Sequence, residues 1–229
     1  MREYRASAES VGERFAALRS RVDEAAAAAG RSGAHVEILV ATKYIDIDGM
    51  QALADGGIRL VGENRAQDLA AKHERYGDRF VWDFIGHLQS RKTKIVLPLV
   101  RLIHSVDSMS VVKELQARST NTTRVLLEVN IGGEETKNGI PPEQVDAFLE
   151  EAAAYDRIEF AGLMCMPPLG LDASSSAPYF ARTRELAQRL SAAWRGRYTF
   201  AVLSMGTSAD YDVAVREGAT IVRVGSVLF

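Results

Sequence analysis

The sequence predicts an α/β protein, a single-domain (β/α)8 TIM barrel preceded by an extra N-terminal helix. After Gly30, short apolar, β-branched runs alternate with helix-patterned segments, which is typical of a parallel sheet. Eight such units follow one another without a Gly/Pro/Ser-rich linker, which favours one closed barrel over residues 35–229. An open doubly wound sheet is the alternative. It has little support as a dinucleotide fold, because no G-x-G-x-x-G motif follows the first strand.

The first element is predicted to be a helix over residues 1–30. Its apolar residues recur at spacings of four, three, four and three, at Val11, Phe15, Leu18, Val22 and Ala25. An alanine run at 25–29 favours helix, and Gly30 is a suitable C-terminal stop. We expect this apolar stripe to cover one flank of the barrel, with a partner-binding helix as the alternative.

The remaining elements follow in strict alternation. Strands are predicted at residues 36–42, 58–62, 80–86, 102–105, 125–130, 160–164, 200–204 and 221–224. Helices are predicted near residues 48–55, 64–76, 89–97, 108–118, 142–155, 176–194 and 208–217. Prolines with an acid begin the helix at 142, and the segment 207–210 resembles a capping box with Asp in place of Glu.

Composition excludes several classes of protein. The 229 residues are 47% apolar and 25% charged, with a net charge of −2, so disordered, collagen-like and disulfide-rich chains are excluded. The near-neutral balance gives no argument for nucleic acid or an anionic membrane as partner. The lone Cys165 cannot form an internal disulfide, and no residue spacing suggests a metal site. Without an apolar span or a signal peptide, we expect a soluble cytoplasmic protein.

Functional residues of such barrels lie where the strands end, at the C-terminal face. Lys43 follows the apolar run 38–41 and shares the face of Leu39 and Ala41 by the two-residue period. Desolvation at an apolar barrel mouth favours a neutral lysine amine, which can form a Schiff base with a carbonyl. The alternative is a rim lysine that is ion-paired with a carboxylate such as Glu63.

The loops after strands seven and eight are predicted to bind phosphate. They are small, rich in hydroxyl and N–H donors, and read Ser204-Met205-Gly206-Thr207-Ser208 and Gly225-Ser226. Ordinary turn and cap chemistry is the alternative. Together with Lys43, these loops fit pyridoxal 5′-phosphate (PLP) or a phosphorylated sugar in a class I aldolase.

Arg223 helps to choose between these ligands. If it meets the pyridine nitrogen of PLP, it donates a hydrogen bond and keeps that nitrogen unprotonated, which weakens PLP as an electron sink. An ion pair with a barrel carboxylate is the alternative. Asn64 either contacts a ligand or caps the following helix, and His87 is more typical of a rim histidine than of a catalyst. The loop at 134–137 is a solvated segment or a lid.

Several strings of residues, taken in order, resemble the YggS/PROSC family of PLP-binding, PLP-homeostasis proteins. They are Val40-Ala41-Thr42-Lys43, Gly62-Glu63-Asn64-Arg65-Ala66-Gln67, Trp82-Asp83-Phe84-Ile85-Gly86-His87, Glu128-Val129-Asn130, Gly162-Leu163-Met164, Leu203-Ser204-Met205-Gly206 and Val222-Arg223-Val224-Gly225-Ser226. The chain departs from the family pattern at Tyr44 and Ile45, where many members have a proline-containing segment, and at Thr207, where methionine is common.

The resemblance implies an alanine racemase N-terminal-domain-like barrel with PLP as cofactor. It implies that Lys43 forms the Schiff base, that Ser204, Gly225 and Ser226 contact the phosphate, and that Arg223 faces the pyridine nitrogen. Asn64 and His87 are implied to lie near the cofactor, and Met205 and Gly206 of the loop after strand seven are also predicted to bind it. No catalytic or metal-binding residue is implied.

Two functions remain open. The first is a non-catalytic, monomeric PLP carrier in vitamin B6 and amino-acid homeostasis, with apo-enzymes as possible transient partners. Racemases of this fold use a second base from a separate C-terminal domain, which we do not expect here. The alternative is a PLP-dependent racemase or lyase in which Tyr44 or His87 is the second base. A class I aldolase is a more distant alternative.

Overall fold

Eight parallel strands close into a barrel in their sequence order, in the part of the chain that the computed structural model describes: residues 7–134, 137–168 and 170–229. The strands are β1 (Glu37–Ala41), β2 (Leu60–Glu63), β3 (Val81–Phe84), β4 (Leu102–Val106), β5 (Thr123–Val129), β6 (Ile158–Cys165), β7 (Val202–Ser204) and β8 (Ile221–Val224). The predicted closed barrel is confirmed, and the open sheet is excluded.

Helices connect the strands on the outside of the barrel. They are α1 (Ala8–Ala28), α2 (Met50–Asp55), α3 (Ala66–Tyr76), α4 (Thr93–Val96), α5 (Met109–Arg118), α6 (Val145–Ala152), α7 (Ala173–Ala193) and α8 (Tyr211–Arg216). None of the helices in the described ranges is both long and apolar enough to cross a bilayer. Part of the predicted first helix (residues 1–6) and of the predicted loop or lid (residues 135 and 136) lies outside these ranges.

Closure of the barrel brings the two ends of the sheet together. β1 pairs with β8, with Leu39 beside Arg223 and Val40 beside Val224, and it pairs with β2 on its other side. The turn that follows β1 therefore lies next to the loop that follows β8. This register places Lys43 near Gly225 and Ser226, although Lys43 and Gly225 are 182 positions apart along the chain.

The apolar residues form two cores. A small cluster fills the barrel interior and comprises Leu39, Leu102, Leu126, Ala161, Met164 and Ile221. A larger one lies between the strands and the surrounding helices. The interior also holds buried polar side chains, namely Asp83, His104, Ser204 and Arg223. We expect these four side chains to form hydrogen bonds with one another, because an unpaired buried polar group is unfavourable.

The predicted N-terminal helix covers the flank of the barrel formed by α2 and α8. It begins at the cap Ser7, whose Oγ accepts a hydrogen bond from the Ser10 N–H at 3.2 Å. It ends just before Gly30, which adopts a φ of +69° that favours glycine. Its buried stripe includes Val11, Leu18 and Val22, as the spacing predicted. The apolar stripe of α1 packs against the barrel flank, which disfavours the alternative that this helix binds a partner.

Two predicted helices are shorter than their sequence patterns indicate. The segment at 89–97 contains only the single turn α4 between two 3-10 turns, because Pro98 cannot continue the α-helical bonding. The segment at 142–155 begins with a 3-10 turn and is α-helical only from Val145 to Ala152. Conversely, α7 begins earlier than predicted, because Asp172 caps it by accepting the Ser175 N–H at 2.8 Å.

Candidate functional site

A cavity of about 470 Å³ opens at the C-terminal ends of β1, β2 and β8. This volume lies in the range of pockets that bind small molecules. Its lining includes Lys43, Tyr44, Asn64, Ile85, Met166, Thr207, Ser208, Arg223, Gly225 and Ser226. Two of these residues are cations, and no Asp or Glu side chain is among the described lining residues. The cavity therefore suits an anionic ligand that also has an apolar face.

Lys43 lies in the turn after β1, and its side chain reaches the cavity. It is exposed rather than desolvated, which corrects the premise that it is held in an apolar mouth. Its Nζ lies 4.9 Å from the centroid of the Tyr44 ring. The alternative ion pair with Glu63 does not form, and no Asp or Glu carboxylate of a described residue lies within 4 Å of the Lys43 Nζ. Lys43 is thus an accessible amine that forms no ion pair with an Asp or Glu of the described residues.

Glu63 has a different partner, directly beneath the Lys43 turn. Its Oε1 lies 2.5 Å from the Nζ of Lys72 on α3, and both side chains are almost completely buried. Thr42 joins this pair: its Oγ1 donates to Glu63, and its carbonyl accepts from Lys72 at 2.8 Å. The Lys72–Glu63 pair therefore fixes the hydroxyl and the carbonyl of Thr42, the residue that precedes Lys43.

Arg223 on β8 borders the inner end of the cavity and is only 7% exposed. Its Nη1 donates to the Oγ of Ser204 at 2.6 Å, and its Nη2 donates to the carbonyl of Cys165 at 3.0 Å. Burial lowers the pKa of this guanidinium, while the nearby acidic groups, including Glu128 and Asp210, partly offset the effect. It forms no ion pair with a carboxylate in the described part of the chain, so the alternative role is not supported.

The loops after β7 and β8 are joined by a hydrogen bond. The N–H of Gly225 donates to the Oγ of Ser208 at 3.0 Å. Because this bond uses Ser208 as an acceptor, its hydroxyl proton remains able to donate to a ligand. Thr207 is held by Asp210, whose Oδ1 accepts the Thr207 N–H at 2.7 Å. The predicted capping box does not form as such, because α8 begins only at Tyr211 and has Asp210 as its N-cap. Gly206 has a φ of +89°, and a Cβ there would lie 2.5 Å from the Cβ of Ala214.

The nine predicted site residues divide into two groups. The five that line the cavity are Lys43, Asn64, Arg223, Gly225 and Ser226. The four that do not line it are His87, Ser204, Met205 and Gly206. The cavity lining instead includes Thr207 and Ser208, which the site prediction omitted although their loop was noted for its hydroxyl groups.

Each of these four residues has another position. Met205 is fully buried in the outer core, and its N–H donates to Ile221 across the sheet. Gly206 provides the turn. Ser204 is buried below the cavity, and His87 lies exposed on the rim with its Nδ1 3.4 Å from Asp107. Because β7 ends at Ser204, the residues of this loop that line the cavity come later in the chain, at Thr207 and Ser208.

Asn64 has an unsatisfied acceptor at the cavity. Its Oδ1 is buried without a hydrogen-bond partner, and no side-chain cap bond forms at the start of α3, so the capping alternative is not supported. Native structures rarely leave such an atom unpaired, unless a water or a ligand completes it. This orphaned oxygen is an observation in favour of a ligand that carries a donor.

Sequence reasoning missed an acidic pair near this site. Burial, together with the charge of Asp107, raises the pKa of Glu128 to about 7, although Arg223 acts in the opposite direction. Glu128 was noted only as part of a motif, because its burial depends on the closed barrel. No group of three potential metal ligands occurs among the described residues.

Comparison with known proteins places this barrel in a family. Residues 15–229 match the family described as alanine racemase, N-terminal domain. The chain belongs to this family. Within it, the pyridoxal phosphate homeostasis protein of Aquifex aeolicus is 37% identical over 223 residues, which cover 95% of this chain and 96% of the relative. The protein of the same name from Pseudomonas aeruginosa is 33% identical, with coverage of 96% and 95%.

A solved structure supports the same placement in the alanine racemase N-terminal domain family. PipY of Synechococcus elongatus, solved with PLP bound, has 30% sequence identity and a TM-score of 0.83, covering 96% of this chain and 99% of PipY. The resemblance to the YggS/PROSC group of PLP-homeostasis proteins is therefore confirmed, as is the racemase-like barrel.

Proposed function

We propose that this protein binds pyridoxal 5′-phosphate and serves in intracellular PLP and amino-acid homeostasis, without catalytic turnover. The observation that carries the proposal is the cavity itself. It combines an accessible amine, a buried guanidinium and a hydroxyl-rich loop pair around a space of about 470 Å³. The names of its relatives and the PLP bound to PipY agree with this ligand.

The lining residues fit each part of PLP. Ser208, Ser226 and the adjoining backbone provide donors for a phosphate, and Arg223 provides N–H donors for a ring nitrogen. Ile85 and Met166 offer apolar contacts for the ring, and the orphaned oxygen of Asn64 accepts a donor on the ligand. Of the predicted contacts, we retain Lys43, Asn64, Arg223, Gly225 and Ser226.

When bound, PLP supplies an aldehyde that condenses reversibly with amines. Lys43 would be the residue that holds the cofactor through this aldehyde, because its Nζ reaches the cavity. The Nζ must lose a proton to do so, and solvent can accept that proton because the lysine is exposed. Arg223 has no proton to give up, so a ring nitrogen that accepted its N–H would stay unprotonated, which would disfavour carbanion chemistry.

The openness of the site favours a carrier over an enzyme. Tyr44 is 66% exposed and Met166 is 44% exposed at the cavity entrance. Controlled carbanion chemistry requires that water be excluded, whereas exchange with other proteins requires access. In addition, Tyr44 presents its ring face to the Lys43 Nζ, and His87 lies outside the cavity lining. Neither residue is therefore placed as the second base of a racemase or lyase.

Borohydride trapping tests the cofactor site. Purified protein is incubated with PLP, reduced and analysed by peptide mass spectrometry. We expect one pyridoxyl adduct, on Lys43, that is absent from Lys43→Ala. The matched control Lys94→Ala, at the opposite face of the barrel, should keep the adduct. Adducts scattered over surface lysines, or none at all, would mean that the cavity is not a PLP site.

A separate assay tests the absence of turnover. The PLP-loaded protein is incubated with each amino acid, and racemisation, decarboxylation and elimination are followed. We expect no product above that from free PLP. Turnover that disappears in Lys43→Ala would establish the enzyme alternative instead.

We further propose that the chain acts as a cytoplasmic, single-domain monomer that delivers PLP to apo-enzymes by transient contact. Transfer is measured by adding the loaded protein to an apo-enzyme in the presence of a scavenger of free PLP. Recovery of activity despite the scavenger is the expected result, and recovery no faster than with free PLP would oppose direct delivery.

A further inference from the structure

A continuous chain of buried polar groups runs from Arg223 down through the barrel. Arg223 bonds to Ser204 on β7, and the Ser204 Oγ lies 2.8 Å from the Nδ1 of His104 on β4. The Nε2 of His104 lies 3.0 Å from the Oδ2 of Asp83 on β3. Arg101 closes the chain at the far side, donating to the same Oδ2 at 2.8 Å. Arg223 lies on β8, so the strands β3, β4, β7 and β8 each contribute one side chain to this path.

The direction of each hydrogen bond in this chain can be assigned. Burial lowers the pKa of His104, although Asp83 opposes the effect, which favours the neutral imidazole with one ring proton. Asp83 is ion-paired with Arg101 and can only accept, which places the proton of His104 on Nε2. Nδ1 must then accept the hydroxyl proton of Ser204. The Ser204 oxygen is left with lone pairs only, and one of them receives the Arg223 N–H.

These assignments leave Ser204 without a donor for any ligand. Its single proton is committed to His104, and the side chain is completely buried below the cavity. The resemblance implied a phosphate contact at Ser204. A phosphate oxygen needs a donor, and Ser208 in the same loop has one available, whereas Ser204 does not.

We propose that Ser204 and His104 are positioning residues that hold the Arg223 guanidinium toward the ring end of the cavity, and that Ser204 does not bind phosphate. The inference rests on the proposed PLP site. Arg223 forms no direct ion pair in the described part of the chain, so Ser204 and the Cys165 carbonyl fix its two terminal nitrogens. Without Ser204, the acidic groups at Glu128 and Asp210 would attract the guanidinium away from this orientation.

Comparison of PLP with pyridoxal, which lacks the phosphate, tests the inference. Dissociation constants for both ligands are measured by absorbance titration on wild type and Ser204→Ala. We expect both ligands to bind about tenfold more weakly to the variant, because the loss concerns Arg223 and the ring. The ratio of the two constants should not change. A loss confined to PLP would show that Ser204 binds phosphate, and no loss for either ligand would remove its positioning role; either result overturns the inference.

Two further variants keep the test decisive. Ser119→Ala removes another buried serine hydroxyl, distant from the cavity, and should leave both constants unchanged. His104→Leu removes the next group in the chain and should weaken both ligands equally, which provides the test if Ser204→Ala does not fold. Unequal losses with this variant would contradict the inference.

The result is separable from the proposed function. If wild type forms no adduct at Lys43 under borohydride, the proposed PLP site itself fails. If the Lys43 adduct forms normally and Ser204→Ala binds both ligands like wild type, only the positioning role fails.

Discussion

Asn64 places an unpaired buried carbonyl oxygen at the wall of the cavity. A ligand-free protein is destabilised by such an atom, whereas a ligand with a donor gains from it. We predict that Asn64→Ala changes the free energy of unfolding of the ligand-free protein by no more than about 1 kcal/mol. The same substitution should weaken PLP binding about tenfold. Thermal melting without ligand and a PLP titration measure the two effects.

The exposed Asn121, at the opposite face of the barrel, provides the control for this prediction. Asn121→Ala should change neither quantity. An Asn64→Ala protein that melts early but binds PLP normally would show that the side chain is structural.

Glu128 should make stability depend on pH. Its folded-state pKa is raised from 4.5 to about 7, so the native state binds more protons than the unfolded state between these values. Stability is therefore predicted to fall as pH rises from about 4.5 to 7, and to stay reduced above that. Glu128→Gln lacks this charge and should exceed wild type in unfolding free energy at pH 8 by on the order of 1–3 kcal/mol, an advantage that vanishes near pH 4.

Urea denaturation of both proteins across pH 4–8 measures this difference. The exposed Glu150→Gln on α6 is the control. A difference between wild type and Glu128→Gln that does not change with pH would contradict the prediction.

At the level of single residues, the sequence predicts a site residue when its chemistry follows from its place at a strand end. Lys43 and Arg223 are of this kind, because an apolar strand locates each of them. Ser208 and Glu128 could not be predicted in this way. The position of Ser208 at the cavity depends on the path of the loop after β7, and the burial of Glu128 depends on the closed barrel. The exposure of Lys43 could not be predicted either, because it depends on the position of Tyr44.

The helix α3 anchors the Lys43 turn through the buried Lys72–Glu63 pair. Removal of one partner leaves the other charge buried and uncompensated. We predict that Lys72→Met lowers the free energy of unfolding by about 3–5 kcal/mol. Urea denaturation provides the measurement.

A second ion pair on the same helix is the matched control. Arg75 contacts Asp48 at 2.6 Å, but both side chains are largely exposed. Arg75→Ala should therefore change stability by at most about 1 kcal/mol. Equal effects of the two substitutions would show that burial does not distinguish the pairs.

At the level of elements, strands were predicted more accurately than helices. Each buried strand appears as an apolar run, because parallel strands in a barrel are covered on both faces. The outer helices α4 and α6 are shorter than predicted and adjoin 3-10 turns, where Pro98 and Pro142 set the boundaries. Local proline and cap chemistry, rather than apolar periodicity, determines these limits.

Across the whole molecule, α1 supports the barrel from outside. Leu18 is buried in its packing stripe, and Arg14 donates to the Leu228 carbonyl at 3.1 Å, beyond the Gly225–Ser226 loop. We predict that Leu18→Ala lowers the free energy of unfolding by about 2–5 kcal/mol, as expected for a cavity in a packed core. Leu171 is 36% exposed, so Leu171→Ala should change the free energy of unfolding by less than about 0.5 kcal/mol. Urea denaturation of both variants measures the difference. Similar losses in both variants would mean that α1 is not part of the cooperative unit.

The closed barrel was predictable from the count of alternating units, but the path through its interior was not. The chain from Arg223 to Asp83 joins strands that are distant in sequence, and its members resemble ordinary strand residues until the register of the barrel is known. The four positions Asp83, His104, Ser204 and Arg223 carry no shared spacing that a sequence pattern could reveal.

The meeting of β1 with β8 also sets when the site exists during synthesis. Lys43 emerges early, whereas Arg223, Gly225 and Ser226 are translated after all the other strands have been made. A nascent chain that stops before β8 carries the lysine without its guanidinium and without the second loop of the cavity. The growing polypeptide consequently lacks the complete cavity until its last strand has been added.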